Sequence, residues 1–353
     1  MLAFGDLAKY GAIMAKVRAM SSEMLDEEDY RRLINCKSVP QAAAFLKNET
    51  AYGKYLKDIN EGTVHRNELE RLMNNAYNDD VIKLYRFDNG ENKRFYTYVF
   101  IKAEIEWLKL VLRRLVNENN LGDDLLLEIP PFFKKRFTIN TDRLVKSQSI
   151  RGFLENLGGS RYENVITPLI TLKEHQNLFS VEMTLDMYYY SMVEKLRKGL
   201  RDPQDREIVD KNVGSEVDML NLLWIYRCKK YFQTPSELIY AYIIPNKHRL
   251  RKKDIVNLVE ARTPEEFLGF LENTPYRGLF LQDDERFHEQ IHATFVYKMH
   301  EKAMRVYPYS IEAVLSHLHL KAAEIKNIIS VIEGIRYGLP PDEIKPYIVG
   351  FKI

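Results

Sequence analysis

Residues 25–52 read LDEEDYRRLINCKSVPQAAAFLKNETAY, and residues 250–276 read LRKKDIVNLVEARTPEEFLGFLENTPY. Side by side they match at Leu25/Leu250, Asp29/Asp254, Leu33/Leu258, Ser38/Thr263 and Phe45-Leu46/Phe270-Leu271. One deletion then aligns Thr50 and Tyr52 with Thr274 and Tyr276. A middle stretch, FTINTDRLVKSQSIRGFLENLGGSRY from Phe137 to Tyr162, is more degenerate. It keeps Leu144, Phe153-Leu154-Glu155-Asn156 and Ser160-x-Tyr162. Self-similarity at a long period is read before any short motif, because it decides the architecture.

A second element recurs in the same order. AEIEWLKLVL from Ala103, VDMLNLLWIY from Val217 and AEIKNIISVI from Ala323 each carry a small residue, an acid and then apolar residues at helical spacing. Glu104, Asp218 and Glu324 fall at equivalent places. An acid inside an otherwise apolar helix of this kind serves an interhelical ion pair or a backbone cap more readily than proton transfer, so the three read as structural. The copies divide the chain into three similar helical domains in tandem, 1–125, 126–238 and 239–353. Three related bodies in series are expected to pack around a pseudo-threefold axis, and wedge-shaped ones to leave a funnel.

The fold class follows from periodicity. In IKAEIEWLKLVLRRL, Ile101, Ile105, Leu108, Leu112 and Leu115 line one helical face while Lys102, Glu106, Lys109 and Arg113 lie elsewhere. EMTLDMYYYSMVEKLRKGL and FHEQIHATFVYKMHEKAM behave alike, and two-residue alternation is hard to find. Pro130-Pro131, Gly158-Gly159, Pro245-Asn246 and Pro340-Pro341 punctuate the helical stretches. The chain reads as all-α.

Of the 353 residues 45% are hydrophobic and 29% charged, a globular balance, and the formal net charge of +2 sets up no overall field towards nucleic acid or anionic lipid. Cys36 and Cys228 are too few and too far apart for a disulfide framework or a zinc site, which suits a reducing cytoplasm. The opening MLAFGDLAKYGAIMAKVRAM carries Asp6, Lys9 and Lys16 and does not read as a secretory leader. No uncharged apolar run is long enough to span a bilayer.

Several motifs suggest chemistry. HEQIH, His288 to His292, places two imidazoles one helical turn apart, able to share zinc, with Glu289 set to activate water and Glu312 as a third ligand. A zinc-dependent peptidase built on His288, Glu289 and His292 is therefore the alternative function. Against it, the corresponding helices around LERLM (from Leu69) and VEMTL (from Val181) lack the histidine pair. His317 and His319, with His300 upstream, suggest another cluster. Residues two apart on a helix point about 200° from each other, so they read instead as interfacial or solvent-facing. The basic runs Lys247, Arg249, Arg251, Lys252, Lys253 and Lys134, Lys135, Arg136 each precede a repeat's first helix, and they read as protein-binding rims rather than nucleic-acid sites. Neither G-x-x-x-x-G-K-[ST] nor G-x-S-x-G occurs.

YPYSIEAVLSHLHLKAAEIKNIISVIEGIRYGLPPDEI, Tyr307 to Ile344, resembles the C-terminal signature of the C subunit of prokaryotic V/A-type rotary ATPases, known as the d subunit in eukaryotes. Lys321 to Glu324, the run Ile325 to Gly338 and the trailing PPDEI carry the match. YGAIMAKVRAMSSEMLDEEDYRRLI and TAYGKYL are similar to that family's first repeat, so the resemblance spans essentially the whole chain. It implies three similar helical domains forming a funnel, with no catalytic residue, cofactor or metal. It further implies a non-catalytic central-stalk rotor component, peripheral on the cytoplasmic face of the membrane. Its partners would be the central axle subunits of the ATPase head and the membrane rotor ring of proteolipid subunits. Torque would pass between ATP hydrolysis or synthesis and H⁺ or Na⁺ transport, and membrane contact would come only through the complex.

Overall fold

The computed structural model of the chain describes residues 4–60, 64, 66–88, 93–117, 124–127, 129–171, 178–245, 248–278 and 288–351. These form α-helices, one 3-10 turn and no β-strand, as the periodicity requires. The first helices are α1 (Phe4–Ser21), α2 (Glu27–Ile34), α3 (Val39–Glu49), α4 (Gly53–Leu56) and α5 (Arg66–Phe87). Then come α6 (Thr97–Asn117), α7 (Asp124–Leu127), α8 (Pro131–Lys134), α9 (Thr141–Leu144), α10 (Ile150–Leu157), α11 (Glu163–Thr171), α12 (Leu178–Lys198) and α13 (Pro203–Lys230). The last are α14 (Ser236–Tyr242), α15 (Lys252–Glu260), α16 (Pro264–Leu271), α17 (His288–Val306), α18 (Ile311–Arg336) and α19 (Pro341–Ile344). They pack as two compact units: Met1–Asn89 with Tyr276–Ile353, and Gly90–Pro275. These units are defined by packing; the tandem domains 1–125, 126–238 and 239–353 are an expectation drawn from the sequence repeat.

The first unit is organised on α18. This helix buries residues on every side, from Ile311 and Val314 to Val331 and Ile335, which marks it as a central element rather than a surface one. It packs against α17, α5 and α1, and against the short helices that open the chain's first repeat. Tyr30, Leu33 and Ile34 of α2, Ala42, Ala43 and Leu46 of α3, and Leu56 of α4 form one core with Leu69 and Met73 of α5 and with Ile325, Ile328, Val331 and Ile332 of α18. Local chemistry fixes where the short helices begin. Asp26 accepts the main-chain N–H groups of Glu28 and Asp29 while Asp29 answers to the Asp26 N–H, a capping box. Ser38 accepts from Gln41, with Pro40 in the first turn of α3.

His317 corrects the reading that placed it at an interface or in solvent. It is fully buried on α18, its Nδ1 2.8 Å from Ser21 Oγ of α1 and its Nε2 3.4 Å from Asp80 Oδ2 of α5. An imidazole carries two polar nitrogens, and burial is tolerable here because each has a partner.

The end of α18 is set by GIRYGLPP. Gly338 takes φ +69°, its N–H reaches Ile335 O at 3.0 Å and the Leu339 N–H reaches Gly334 O at 2.9 Å, the paired bonds of a Schellman stop.

The second unit uses α6, α12 and α13 in the same way. The predicted stripe Ile101, Ile105, Leu108, Leu112 and Leu115 is buried on α6. Lys109 Nζ meets Asp186 at 2.5 Å, and Arg113 clasps Glu182 with two bonds of 2.6 and 2.7 Å, tying α6 to α12. Tyr190 donates to Glu216 at 2.9 Å, tying α12 to α13.

The middle copy needs one adjustment of register. Ser38, Ser149 and Thr263 each cap the second short helix by accepting the N–H three residues on. Counted from those caps, Leu157 corresponds to Leu46 and Leu271, and all three are buried to 1% exposure or less. Phe153-Leu154 therefore answers to Phe267-Leu268, not to Phe270-Leu271. The identical FLEN letters draw the match one turn out of place, because a helix repeats its face about every four residues.

Gly338→Ala, which forces a side chain into the left-handed region without meeting any neighbour, should destabilise the chain by about 1 kcal/mol. Leu33→Ala, which empties a fully buried site, should cost about 2–5 kcal/mol, both read from urea denaturation.

Candidate functional site

The three acids inside apolar helices each face a short-helix module, and two of them hold its start by main-chain amides. Glu104 on α6 accepts the main-chain N–H groups of Thr138 and Ile139, the latter at 3.0 Å, and the Thr138 hydroxyl at 3.0 Å. Asp218 on α13 accepts three successive main-chain N–H groups, from His248 (3.1 Å), Arg249 (2.6 Å) and Leu250 (3.1 Å). A carboxylate accepting two or three amide donors is satisfied in the interior, which explains how a charge is buried in a helix that otherwise faces apolar core.

Glu324 on α18 faces the module at the chain's first repeat. Its Oε1 accepts the Tyr52 hydroxyl at 2.5 Å and the Lys321 ammonium at 3.1 Å, and Lys321 also donates to the Tyr52 oxygen at 2.9 Å from above its ring. The Leu25 main-chain N–H lies towards this carboxylate and favours its charged form, but Oε2 itself makes no hydrogen bond. Burial pushes the Glu324 carboxyl up, against the opposing pull of Lys321 and the hydrogen bonds. Burial first, and then the Glu324 charge, push the Tyr52 phenol well above its ordinary value, so it is a donor at any physiological pH.

Corresponding residues occupy the three settings. Leu25, Ile139 and Leu250 are buried immediately before the helix caps Asp26, Asn140 and Arg251. Tyr162, like Tyr52, reaches back to its acid, 2.7 Å from Glu104, and both tyrosines follow a hydroxyl turn made by Ser160 or Thr50. Tyr276 is buried with its ring 5.9 Å from Phe295.

Sequence reading missed a polar residue three positions after each acid. Asn327 donates to Val349 O and accepts from Val349 N–H, both at 2.9 Å, and Asn221 does the same to Ile244 at 3.0 and 2.9 Å. Trp107 donates to Leu125 O at 3.1 Å. Acid and i+3 residue share one helix face, so each long helix grips both a module and the strand of chain beside it. The signal in the sequence is D-x-x-N at 218–221 and E-x-x-N at 324–327; Trp107 in the first copy hides it.

Of the basic residues singled out, Arg249, Arg251, Lys252, Lys253 and Lys135 are exposed. Arg251 pairs with Asp254 at 2.9 Å and Lys134 with Asp142 at 2.8 Å. The Arg136 guanidinium sits over Phe132, 3.5 Å from its centroid. Lys247 and the side chains of His288 and Glu289 lie outside the described residues. Glu312, offered as a zinc ligand, is buried instead against Ser316 (3.2 Å) and His300 (3.4 Å), and the His300 ring stacks on His319 at 4.0 Å. Among the described residues no group of three or more His, Cys, Asp or Glu side chains is placed to hold a metal ion. Cys36 and Cys228 are free thiols, both pushed up by burial.

Fold and site together define an all-helical protein in which repeated short-helix modules are clamped by acids of long helices. The chain matches the family ATP synthase (C/AC39) subunit over residues 13–347, and it belongs to that family. It is 23% identical to the C subunit of the A-type ATP synthase of Methanocaldococcus jannaschii, covering 98% of this chain and 87% of that protein. It is 22% identical to the corresponding A-type ATP synthase protein of Methanosphaera stadtmanae (94% and 85% covered) and 24% identical to that of Methanosarcina barkeri (97% and 93% covered).

Glu324→Ala strands a buried lysine and should cost about 3–5 kcal/mol, whereas Tyr52→Phe, which leaves the Lys321–Glu324 pair, should cost about 1–2 kcal/mol. A carboxyl whose folded pKa is raised binds its proton more tightly folded than unfolded. Its contribution to stability therefore falls as pH rises from the unfolded value of about 4.3 through the folded value, and is constant above. Glu324→Gln should remove that slope from the pH dependence of urea-unfolding stability.

Proposed function

We propose that this chain is the non-catalytic central-stalk component of a V/A-type rotary ATPase. In this reading it is a socket that receives the end of the central axle and stands on the membrane rotor ring of proteolipid subunits. It passes torque between ATP hydrolysis or synthesis and H⁺ or Na⁺ transport on the cytoplasmic face of the membrane. The observation that carries the reading is the family match from residue 13 to residue 347. The three repeat domains, 1–125, 126–238 and 239–353, then form the funnel around a pseudo-threefold axis.

The physical character of the chain supports the role. A part that transmits torque has to resist shear, and close-packed helices pinned by buried carboxylate–amide bonds have low compliance. Among the described residues no helix is long and apolar enough to cross a membrane, so in this reading the ring provides the anchor. The acids are committed to structural partners, Glu104 and Asp218 to main-chain amides and Glu324 to Tyr52 and Lys321, which suits a coupling body rather than an active site.

Lys252 and Lys253 form the partner rim in this reading. The first turn of α2 carries Glu27, Glu28 and Asp29, which favour the positive end of its dipole. The first turn of α15, at the matching place, starts with Lys252 and Lys253 after Arg251, and only Asp254 offsets them. Helix stability does not select cations there, and in this reading an acidic partner surface does.

Affinity isolation of the tagged chain from detergent-solubilised membranes should bring down the axle subunits and the proteolipid ring; recovery without any ATPase component would sink the proposal. The double variant Lys252→Glu/Lys253→Glu should raise the melting temperature of the isolated chain slightly while slowing its association with those partners and changing its salt dependence. A fall in both stability and association would refute the assignment of this rim.

A further inference from the structure

The three module joints are not equally secured. Ile139 docks on Glu104 from 35 residues away in sequence, and Leu250 docks on Asp218 from 32. The module at the first repeat docks on α18 across 272 residues, measured from Tyr52 to Glu324. Closing so long a loop costs more chain entropy than closing a short one. The main-chain clamp is also weaker here than at the others: Glu104 accepts two amide donors and Asp218 three, while at Glu324 only the Leu25 N–H lies towards the carboxylate and Oε2 makes no hydrogen bond.

What this joint has instead is a strap. After α19 the chain turns through a 3-10 turn at Lys345–Tyr347, and Ile348 and Val349 are buried. Asn327 of α18 holds Val349 by both its N–H and its carbonyl. Gly350 follows at φ +96°, so close to the Tyr297 ring of α17 that a Cβ there would lie 2.4 Å from it. That bend lays the Phe351 ring 4.8 Å from Tyr30 of α2 and 6.2 Å from Tyr297. Tyr30 in turn donates to Glu324 O at 3.4 Å. The strap thus touches α17, α18 and the module together.

We propose that the segment Lys345–Phe351 is a latch: it holds the module α2–α4 on α18, and when Asn327 releases Val349 the module opens as a unit. The modules at 141–157 and 252–271 stay docked, because each is anchored by amide clamps and by a short connection to its own acid-bearing helix. The Leu25–Leu56 module is then a separate cooperative unit of the native state, poised below the free energy of global unfolding.

Hydrogen exchange followed by mass spectrometry on the full chain tests this. Asn327→Ala, which removes both strap bonds and the 3.4 Å bond from the Asn327 amide to the Tyr30 hydroxyl, should accelerate exchange across Tyr30–Leu56 by on the order of tenfold, with 141–157 and 252–271 near wild-type rates. Phe351→Ala, a half-exposed site that leaves the Asn327 bonds in place, should give the same pattern with a smaller acceleration. Asn221→Ala removes the matching grip on Ile244 and should accelerate 252–271 much less than Asn327→Ala accelerates 30–56. Acceleration of all three modules together, no change in 30–56 in either strap variant, or equal effects of Asn221→Ala and Asn327→Ala would each overturn the latch.

Discussion

A carboxylate set into the apolar face of a helix, accepting main-chain N–H groups from the segment that leads into another helix, is the bond on which this architecture depends. The amides of that irregular lead-in segment have no ladder of their own to pair with, and burial without partners costs about a few kcal/mol for each. The carboxylate meets the same difficulty from the other side, since it cannot be buried as a charge unless donors surround it. Each group removes the other's penalty, so the pair is stable only when the module is seated in one register. At Asp218, where three consecutive amides converge on two oxygens, a slip of one residue would break the whole set. That is a registration device more than a source of net stability.

The device also explains why hydrophobic packing alone does not define these joints. Tyr30, Leu33, Leu46 and Leu56 could slide along the side of α18 with modest loss, because Ile325, Ile328, Val331 and Ile332 present a similar surface at each turn. Tyr52, Lys321 and Glu324 form a polar triangle at one level of that surface and remove the degeneracy. For a body proposed to carry torque, resistance to sliding along a helix axis matters more than depth of burial. The polar pins supply it where the apolar faces cannot.

How much of this is legible in the chain varies with the kind of signal. The helical class follows from the stripe Ile101, Ile105, Leu108, Leu112 and Leu115, because burial of one helical face leaves a period that survives sequence drift. Cap residues survive too: Ser38, Ser149 and Thr263 recur because few side chains can accept that N–H. The packing of His317 is not legible, since its partners Ser21 and Asp80 lie 296 and 237 residues away and no local pattern announces them. The middle register misleads because FLEN recurs one helical turn from its structural counterpart. The strap grip of Asn221 and Asn327 lies in plain view, but Trp107 performs it with an indole N–H, and a shared geometry served by different chemistry leaves no common letter.

The three joints share a plan and differ in how each closes. Asp218 is one methylene shorter than the glutamates and meets three main-chain amides, whereas Glu104 reaches both amides and the Tyr162 hydroxyl. Glu324 relies chiefly on a hydroxyl and an ammonium, with the Leu25 N–H lying towards it, and burial raises its carboxyl while Oε2 makes no hydrogen bond. An ammonium on a long flexible stem and a phenol at the end of a ring fix position less tightly than backbone amides do, because each brings its own rotamers. The joint closed over the longest stretch of chain is therefore also the one with the most adjustable polar contacts. Its geometry is completed by a strap whose bend requires glycine at Gly350. Rigidity where the chain is short and adjustability where it is long is the distribution expected when the first module meets the last long helix through side chains rather than through a short connecting loop.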